Sequence, residues 1–137
     1  MKKFAELQYV RPDMEKIFAR VSGDIAVLKE AKSYEEFRNA YMDYVEADTE
    51  LETSKTVAHV RNTINLLDEF YEAEMVYFNS QMPKYEILKK EMGEVIVASP
   101  FKAEMEKEFG TILIQNMEAQ KQLSDESIVD DQVKEAE

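Results

Sequence analysis

The feature of this sequence that most constrains its fold is the stretch between Ser33 and Pro83, which contains no glycine and no proline. The whole chain of 137 residues has only three of each, too few for the turns of an all-β fold, so the composition favours helices. Apolar residues recur at helical spacing through this stretch and lapse only across residues 52–56. The pattern predicts one long helix over about 34–79, or two nearly collinear helices that meet near residue 53. Unbroken, that helix would be about 70 Å long.

A shorter helix is predicted before the long one. Pro12 suits the first turn of a helix, where a missing N–H is tolerated, and apolar residues follow it at helical spacing as far as Leu28. Ser33 and Glu36 have the spacing of a capping box, in which each side chain accepts a hydrogen bond from a free backbone N–H of the other. The long helix is therefore expected to begin just after Ser33.

Three further helices are predicted after the long one. The first runs over about 83–98, the second starts at Ser99-Pro100 and stops at Gly110, and the third continues to about Leu123. The fold class predicted is all-α, a helical bundle or hairpin built around the long helix. Residues 1–123 are expected to form a helical N-terminal domain. Residues 124–137 are expected to be an acidic tail, or the start of a helix that would continue in a longer protein.

The balance of charged residues limits what the chain can bind. There are 29 acidic and 17 basic residues, which gives a net charge of -12. Because nucleic acids and anionic membranes attract cationic surfaces, we expect neither as a partner. A basic peptide or protein would be compatible, although an acidic composition says more about solubility than about fold.

The chain contains no cysteine, which excludes disulfides, iron–sulfur clusters and thiol catalysis. Its first residues include two lysines but no apolar segment behind them, so they do not resemble a signal peptide. No apolar run approaches the roughly 18 residues that a membrane-spanning helix needs. A cytoplasmic location is therefore expected.

The chain has a single histidine, His59, and this count removes many kinds of chemistry. An H-E-x-x-H zinc site needs two histidines one helical turn apart, and a di-iron bundle needs one on each of two helices. The sequence also lacks a glycine-rich phosphate loop, an EF-hand loop and a G-x-S-x-G motif. We expect no catalytic residue and no metal ligand in this chain.

Four polar positions remain as candidates for peptide contact or for a structural role: His59, Arg61, Asp68 and Tyr71. His59 could contact a ligand, but a partly buried side chain that is hydrogen-bonded to a neighbouring helix is the preferred interpretation. Asp68 and Glu69 could act as acid and base, but adjacent helical residues point in different directions. Tyr71 lies on the apolar stripe with other tyrosines, so core packing is preferred to substrate contact.

Residues 58–72 bear a resemblance to a known family. They read A-H-V-R-N-T-I-N-L-L-D-E-F-Y-E, which resembles A-S-I-R-H-T-I-D-T-T-D-E-F-Y-E, an approximate pattern of the oligoendopeptidase F-like zinc metallopeptidases related to thimet oligopeptidase. His59 stands where the family has a small residue, Asn62 where it often has histidine, and Asn65 where it has aspartate. Residues 9–13 are similar to its opening Y-x-R-P-D, and residues 31–36 to the cap of its second helix.

The resemblance covers nearly the whole chain and implies the N-terminal segment of a zinc-dependent oligopeptidase. Family members use a metal-activated water to attack a peptide carbonyl, and their zinc ligands lie far downstream of every position matched here. Their N-terminal helices form one wall of a deep channel that admits short peptides. The implied partners are the catalytic portion of the peptidase and, in the complete protein, short peptides and zinc. The chain alone is expected to hold no cofactor and to be inactive.

A hypothesis from a different class is a stand-alone helical module that binds other proteins or itself through the long helix. This second hypothesis predicts an oligomer that persists at high dilution and melts cooperatively, whereas the peptidase hypothesis predicts exposed apolar surface. A homodimer through that surface is expected if nothing else covers it.

Overall fold

The computed structural model describes residues 7–121, and these contain helices and no strand. Four helices are α1 (Met14–Glu30), α2 (Tyr34–Ile64), α3 (Glu69–Ala98) and α4 (Lys102–Phe109). A further helix, α5, occupies residues 111–121. The predicted all-α class is confirmed. The tail predicted at 124–137 lies outside the described residues.

The prediction of one long helix over 34–79 is wrong. The chain turns at residues 65–68, and α3 returns along α2 as an antiparallel partner. Arg61 near the end of α2 contacts Tyr71 near the start of α3, whereas Asp48 farther back contacts Tyr85 farther on. The alternative junction near residue 53 is also wrong, because α2 is continuous there.

The turn forms without glycine or proline because two short polar side chains replace the helical hydrogen bonds. The Asn65 side chain accepts from the Leu67 backbone N–H at 3.2 Å. Asp68 has an extended backbone (φ -78°, ψ 102°), and its carboxylate accepts from the Phe70 N–H at 3.0 Å. Such side chains compete with helix continuation and favour caps.

The break expected between the helices predicted over 34–79 and 83–98 is absent, since α3 runs through Pro83. A proline inside a helix removes one hydrogen bond to the carbonyl four residues earlier, which belongs to Asn79. Both Pro83 and Asn79 are exposed, so the lost hydrogen bond lies on the solvent side of the helix. Phe78 and Tyr85 on either side are fully buried and hold the helix in place.

Helix α1 packs against both arms of the hairpin and completes a three-helix core. It runs antiparallel to α2, as the contact of Arg20 with Asp43 and the proximity of Ile17 to Leu51 indicate. The apolar stripe predicted for this helix is confirmed. Its buried members are Met14, Phe18, Val21, Ile25 and Leu28.

The starts of α1 and α2 are capped by side chains. Asp13 caps α1 by accepting from the Lys16 N–H at 3.3 Å, so Pro12, which was predicted in the first turn, lies just before the helix. Ser33 accepts from the Glu36 N–H at 3.2 Å, as the capping box predicts. The Glu36 carboxylate accepts from the Lys32 N–H, one residue before the position that the motif implies.

Helices α4 and α5 cover the end of the bundle where α2 begins and α3 ends. Met105 and Ile114 are buried there, and the Phe109 ring lies 5.0 Å from that of Tyr41. Gly110 ends α4 with a φ of 101°, as its predicted role as a stop requires. These two helices cover this end of the bundle, and within residues 7–121 no further helix covers the opposite end, where α2 turns into α3.

Candidate functional site

A carboxylate lies buried where the extended segment 7–13 crosses α3. Glu74 is only 2% exposed and is the one charged residue among the buried positions of the described chain. Burying a carboxylate is costly unless it is paired and hydrogen-bonded. The residues around Glu74 are therefore expected to provide a positive charge and hydrogen-bond donors.

Two residues of segment 7–13 provide the partners of Glu74. The Tyr9 hydroxyl donates to Glu74 Oε1 at 2.7 Å. The Arg11 Nε donates to both carboxylate oxygens, at 3.0 and 3.1 Å, and an η-nitrogen of Arg11 forms a salt bridge with Oε2. The guanidinium carbon also lies 4.2 Å from the centre of the Tyr77 ring, a cation–π geometry. Both oxygens of the carboxylate are thus occupied.

The electrostatics of this cluster keep it in one protonation state. The hydrogen bonds from Arg11 hold the pKa of Glu74 below its usual range, against the opposing effect of burial. Burial, and then the hydrogen bond to Glu74, raise the pKa of Tyr9. Glu74 is therefore an anion and Tyr9 a neutral donor. A carboxylate with no free oxygen is poorly placed to act as a base, so the cluster fixes segment 7–13 on the hairpin.

Arg61 and Tyr71, both predicted candidates, contact each other and the same segment. Arg61 donates to the Tyr71 hydroxyl at 2.9 Å and to the backbone carbonyl of Leu7. The Tyr71 ring packs edge-on against that of Tyr9, with centroids 5.7 Å apart. The half-buried position of Tyr71 against this segment agrees with the preferred packing interpretation.

The other two candidates lie apart from this pair. Asp68 caps α3 and has a structural contact there. His59 is exposed on α2, so the expectation of a partly buried histidine is wrong. It is one of the residues that line a groove of about 390 Å³ between α2 and α3, together with Met75, Phe78 and Met82. The four candidates therefore do not form one site.

Sequence reasoning missed Glu74 and used Tyr9 and Arg11 only as part of a motif. A signal for Glu74 was present, because it lies three residues after Tyr71 and four before Phe78, on the face that the helical period predicts to be buried. An acid on a buried face requires a basic partner, but the sequence does not indicate which of the 17 basic residues provides it. Only the folded structure shows that segment 7–13 lies beside the part of α3 that contains Glu74.

Two kinds of site are not found in the part of the chain that the structure describes. No group of three or more His, Asp or Glu side chains in residues 7–121 is arranged to hold a metal ion. A catalytic zinc takes three protein ligands, so these residues do not fit the zinc that the resemblance implies for the complete protein. Over the same residues, no helix combines the length and apolar character needed to cross a membrane.

Comparison with protein families gives one decisive match. Residues 4–124 match the peptidase M3 N-terminal domain. The chain belongs to this family. The resemblance to the N-terminal segment of an oligoendopeptidase-type peptidase is thereby confirmed.

The fold of this M3 N-terminal domain is shared with solved peptidases. One is PZ peptidase A, solved with an inhibitor, at 29% identity and a TM-score of 0.82 over 85% of this chain. Another is described as an oligoendopeptidase F, at 30% identity and a TM-score of 0.83 over 88% of this chain. The matched region is 21% of each of those chains, so this chain spans about a fifth of their length. Comparison with curated proteins by sequence gives no match.

Proposed function

We propose that this M3 N-terminal domain forms one wall of the substrate channel in a zinc-dependent oligopeptidase that hydrolyses short peptides. The observation that supports the proposal is the match of 85% and 88% of the chain to two peptidases, at TM-scores of 0.82 and 0.83. Zinc binding and hydrolysis would belong to the remaining portion of the protein. A single histidine cannot supply the two histidines of an H-E-x-x-H site.

The described residues have two roles in this proposal. The Tyr9 and Arg11 contacts with Glu74 make the wall rigid by tying segment 7–13 to α3. The groove beside His59 is the part suited to contact a peptide, because Phe78 and the neighbouring methionines give it an apolar floor next to an exposed imidazole. Arg61, Asp68 and Tyr71 would then support the wall without touching the peptide.

The proposal predicts that the 137-residue chain is inactive by itself. The pure protein, incubated with added zinc and a set of quenched fluorescent peptides, should give no zinc-dependent hydrolysis. PZ peptidase A under the same conditions is the positive control. Hydrolysis that co-elutes with the pure chain and stops when a chelator removes the metal would contradict the assignment of catalysis to another portion of the protein.

A stand-alone module that self-associates or binds other proteins is the second candidate function. It is favoured by exposed apolar residues at the turn between α2 and α3, where Leu67 is 91% exposed. An oligomer that persists at high dilution and melts cooperatively would support it. Sedimentation velocity over a range of concentrations measures the first property, and thermal melts the second.

The cytoplasmic location stays a prediction within either proposal. Fractionation of cells that produce the chain, followed by detection in each fraction, would test it.

A further inference from the structure

Four large apolar side chains are exposed together at the turn between α2 and α3. We define the hairpin tip by these residues, Ile64, Leu66, Leu67 and Phe70, which are 74%, 72%, 91% and 56% exposed. Single exposed apolar residues are common, but a contiguous group on a turn is typical of an interaction surface. At the opposite end of the bundle, α4 and α5 bury Met105 and Ile114, although Ile112 in α5 is exposed.

The hairpin tip is held in one conformation. The side-chain hydrogen bonds of Asn65 and Asp68 fix the turn, and the Phe70 ring packs edge-on against the rings of Tyr71 and Tyr9, at 4.9 and 6.1 Å. A surface that is already ordered loses less conformational entropy when a partner binds. The exposed leucines are thus presented on a rigid support.

The charges beside the hairpin tip indicate the chemistry of its partner. Residues 62–72 include Asp68, Glu69 and Glu72 and contain no lysine or arginine. Arg61, the residue before them, already donates to the Tyr71 hydroxyl. A partner surface that is apolar at its centre and basic at its border would complement this arrangement. A second copy would bring the same acids together across a two-fold axis, and each copy carries a net charge of -12. Self-association through the tip is therefore disfavoured.

The remaining portion of the peptidase is the partner that fits. The chain corresponds to 21% of each solved relative, so a body about four times larger accompanies this fold in those proteins. We propose that the hairpin tip is the surface on which the catalytic portion docks, through an apolar patch bordered by lysine or arginine. This inference rests on the proposed function and specifies where the wall is attached.

The direct test uses the intact 137-residue chain and, as the probe, PZ peptidase A from which the matched segment, 21% of its length, has been removed. Calorimetry should detect binding of the wild-type chain. The double variant Leu66→Ser/Leu67→Ser should bind at least about tenfold more weakly, since it removes two exposed apolar anchors. The control Ile87→Ser/Ile112→Ser removes side chains that are 68% and 72% exposed elsewhere and should bind as the wild type does.

A chimera provides a second measurement that does not depend on the truncated probe folding alone. In it, this chain replaces the matched segment of PZ peptidase A, and the tip variant should lower the thermal midpoint by several degrees while the control variant does not. The melting of the isolated chain should be the same for all three proteins, because the substituted side chains are exposed.

Three results would overturn the proposal. The tip variant could bind the probe and stabilise the chimera as well as the wild type does. The isolated chain could form a dimer that the tip variant dissolves, which would make a second copy the partner. There could also be neither binding to the probe nor a folded chimera. A chimera whose melting depends on the tip but which hydrolyses no peptide would contradict the proposed function and leave the docking surface intact.

Discussion

At the scale of single residues, the pairing of Arg11 with Glu74 determines where segment 7–13 lies. Glu74→Gln keeps the shape of the side chain but removes the charge and leaves Arg11 without its anion. We expect the free energy of unfolding to fall by about 1–3 kcal/mol, toward the low end because Arg11 is half exposed. Urea unfolding measures this, and Glu72→Gln, an exposed neighbour on the same helix, should have little effect.

Variants of Arg11 and Glu74 can also separate the energy of their interaction from the cost of removing each side chain. Arg11→Ala and Glu74→Ala each break the salt bridge, so the double variant should lose less stability than the sum of the two single variants. Simple addition of the two effects would show that the salt bridge contributes nothing to stability.

At the scale of helices, two glycines have opposite roles. Gly23 lies inside α1 with open space where a Cβ would project, and Gly110 ends α4 with a φ of 101°. Gly23→Ala should stabilise the protein by about 0.5–1 kcal/mol, because alanine favours the helix. Gly110→Ala should destabilise it by about 1–3 kcal/mol, because L side chains rarely adopt that backbone conformation. Paired thermal melts test both, and the same sign of effect for the two would contradict this account.

The helices that were predicted well are those whose signals are local. The stripe of α1 and the Ser33 cap of α2 depend on residues within a few positions of each other. The turn at 65–68 depends on a longer-range effect, because Asn65 and Asp68 end the helix only in a chain that gains by folding α3 back onto α2. Pro83 led to the wrong prediction of a helix boundary. The helix continues through it because the burial of Phe78 and Tyr85 outweighs the lost hydrogen bond.

The residues of the candidate site also differ in whether a local pattern identifies them. Arg61 and Tyr71 were named as candidates because both lie within one recognisable segment, ten residues apart. Glu74 acquires its role from Tyr9 and Arg11, which are more than 60 residues away along the chain. Pairing over such distances is set by how the helices pack, and no local pattern specifies it.

At the scale of the whole molecule, a carboxyl pair between α1 and α2 makes stability depend on pH. Burial first, and then the hydrogen bond and charge of Asp43, raise the pKa of Asp24 to about 7 from an ordinary value of 3.8. Hydrogen bonds from Arg20 and then Asp24 hold the pKa of Asp43 below its usual range. The folded protein therefore binds a proton at Asp24 that the unfolded chain releases at lower pH.

The raised pKa of Asp24 and the lowered pKa of Asp43 determine how stability changes with pH. The contribution of Asp24 is fully present below about pH 3.8 and is lost as the pH rises through about 7. Carboxylates with lowered pKa values, such as Asp43 and Glu74, contribute stability above their ordinary range that is lost as the pH falls. The two trends place the maximum of stability in mildly acidic solution, near about pH 5.

Asp24→Asn tests this behaviour, because an amide cannot ionise. Between pH 5 and pH 8 the wild type should lose about 1–2 kcal/mol of unfolding free energy, a figure reduced for the partial solvation of the pair. The variant should lose much less and should exceed the wild type in stability at pH 8. Glu30→Gln, the same charge change at an exposed position of α1, should keep the wild-type slope. If both variants flatten the curve equally, the cause is the net charge of -12 rather than the Asp24–Asp43 pair.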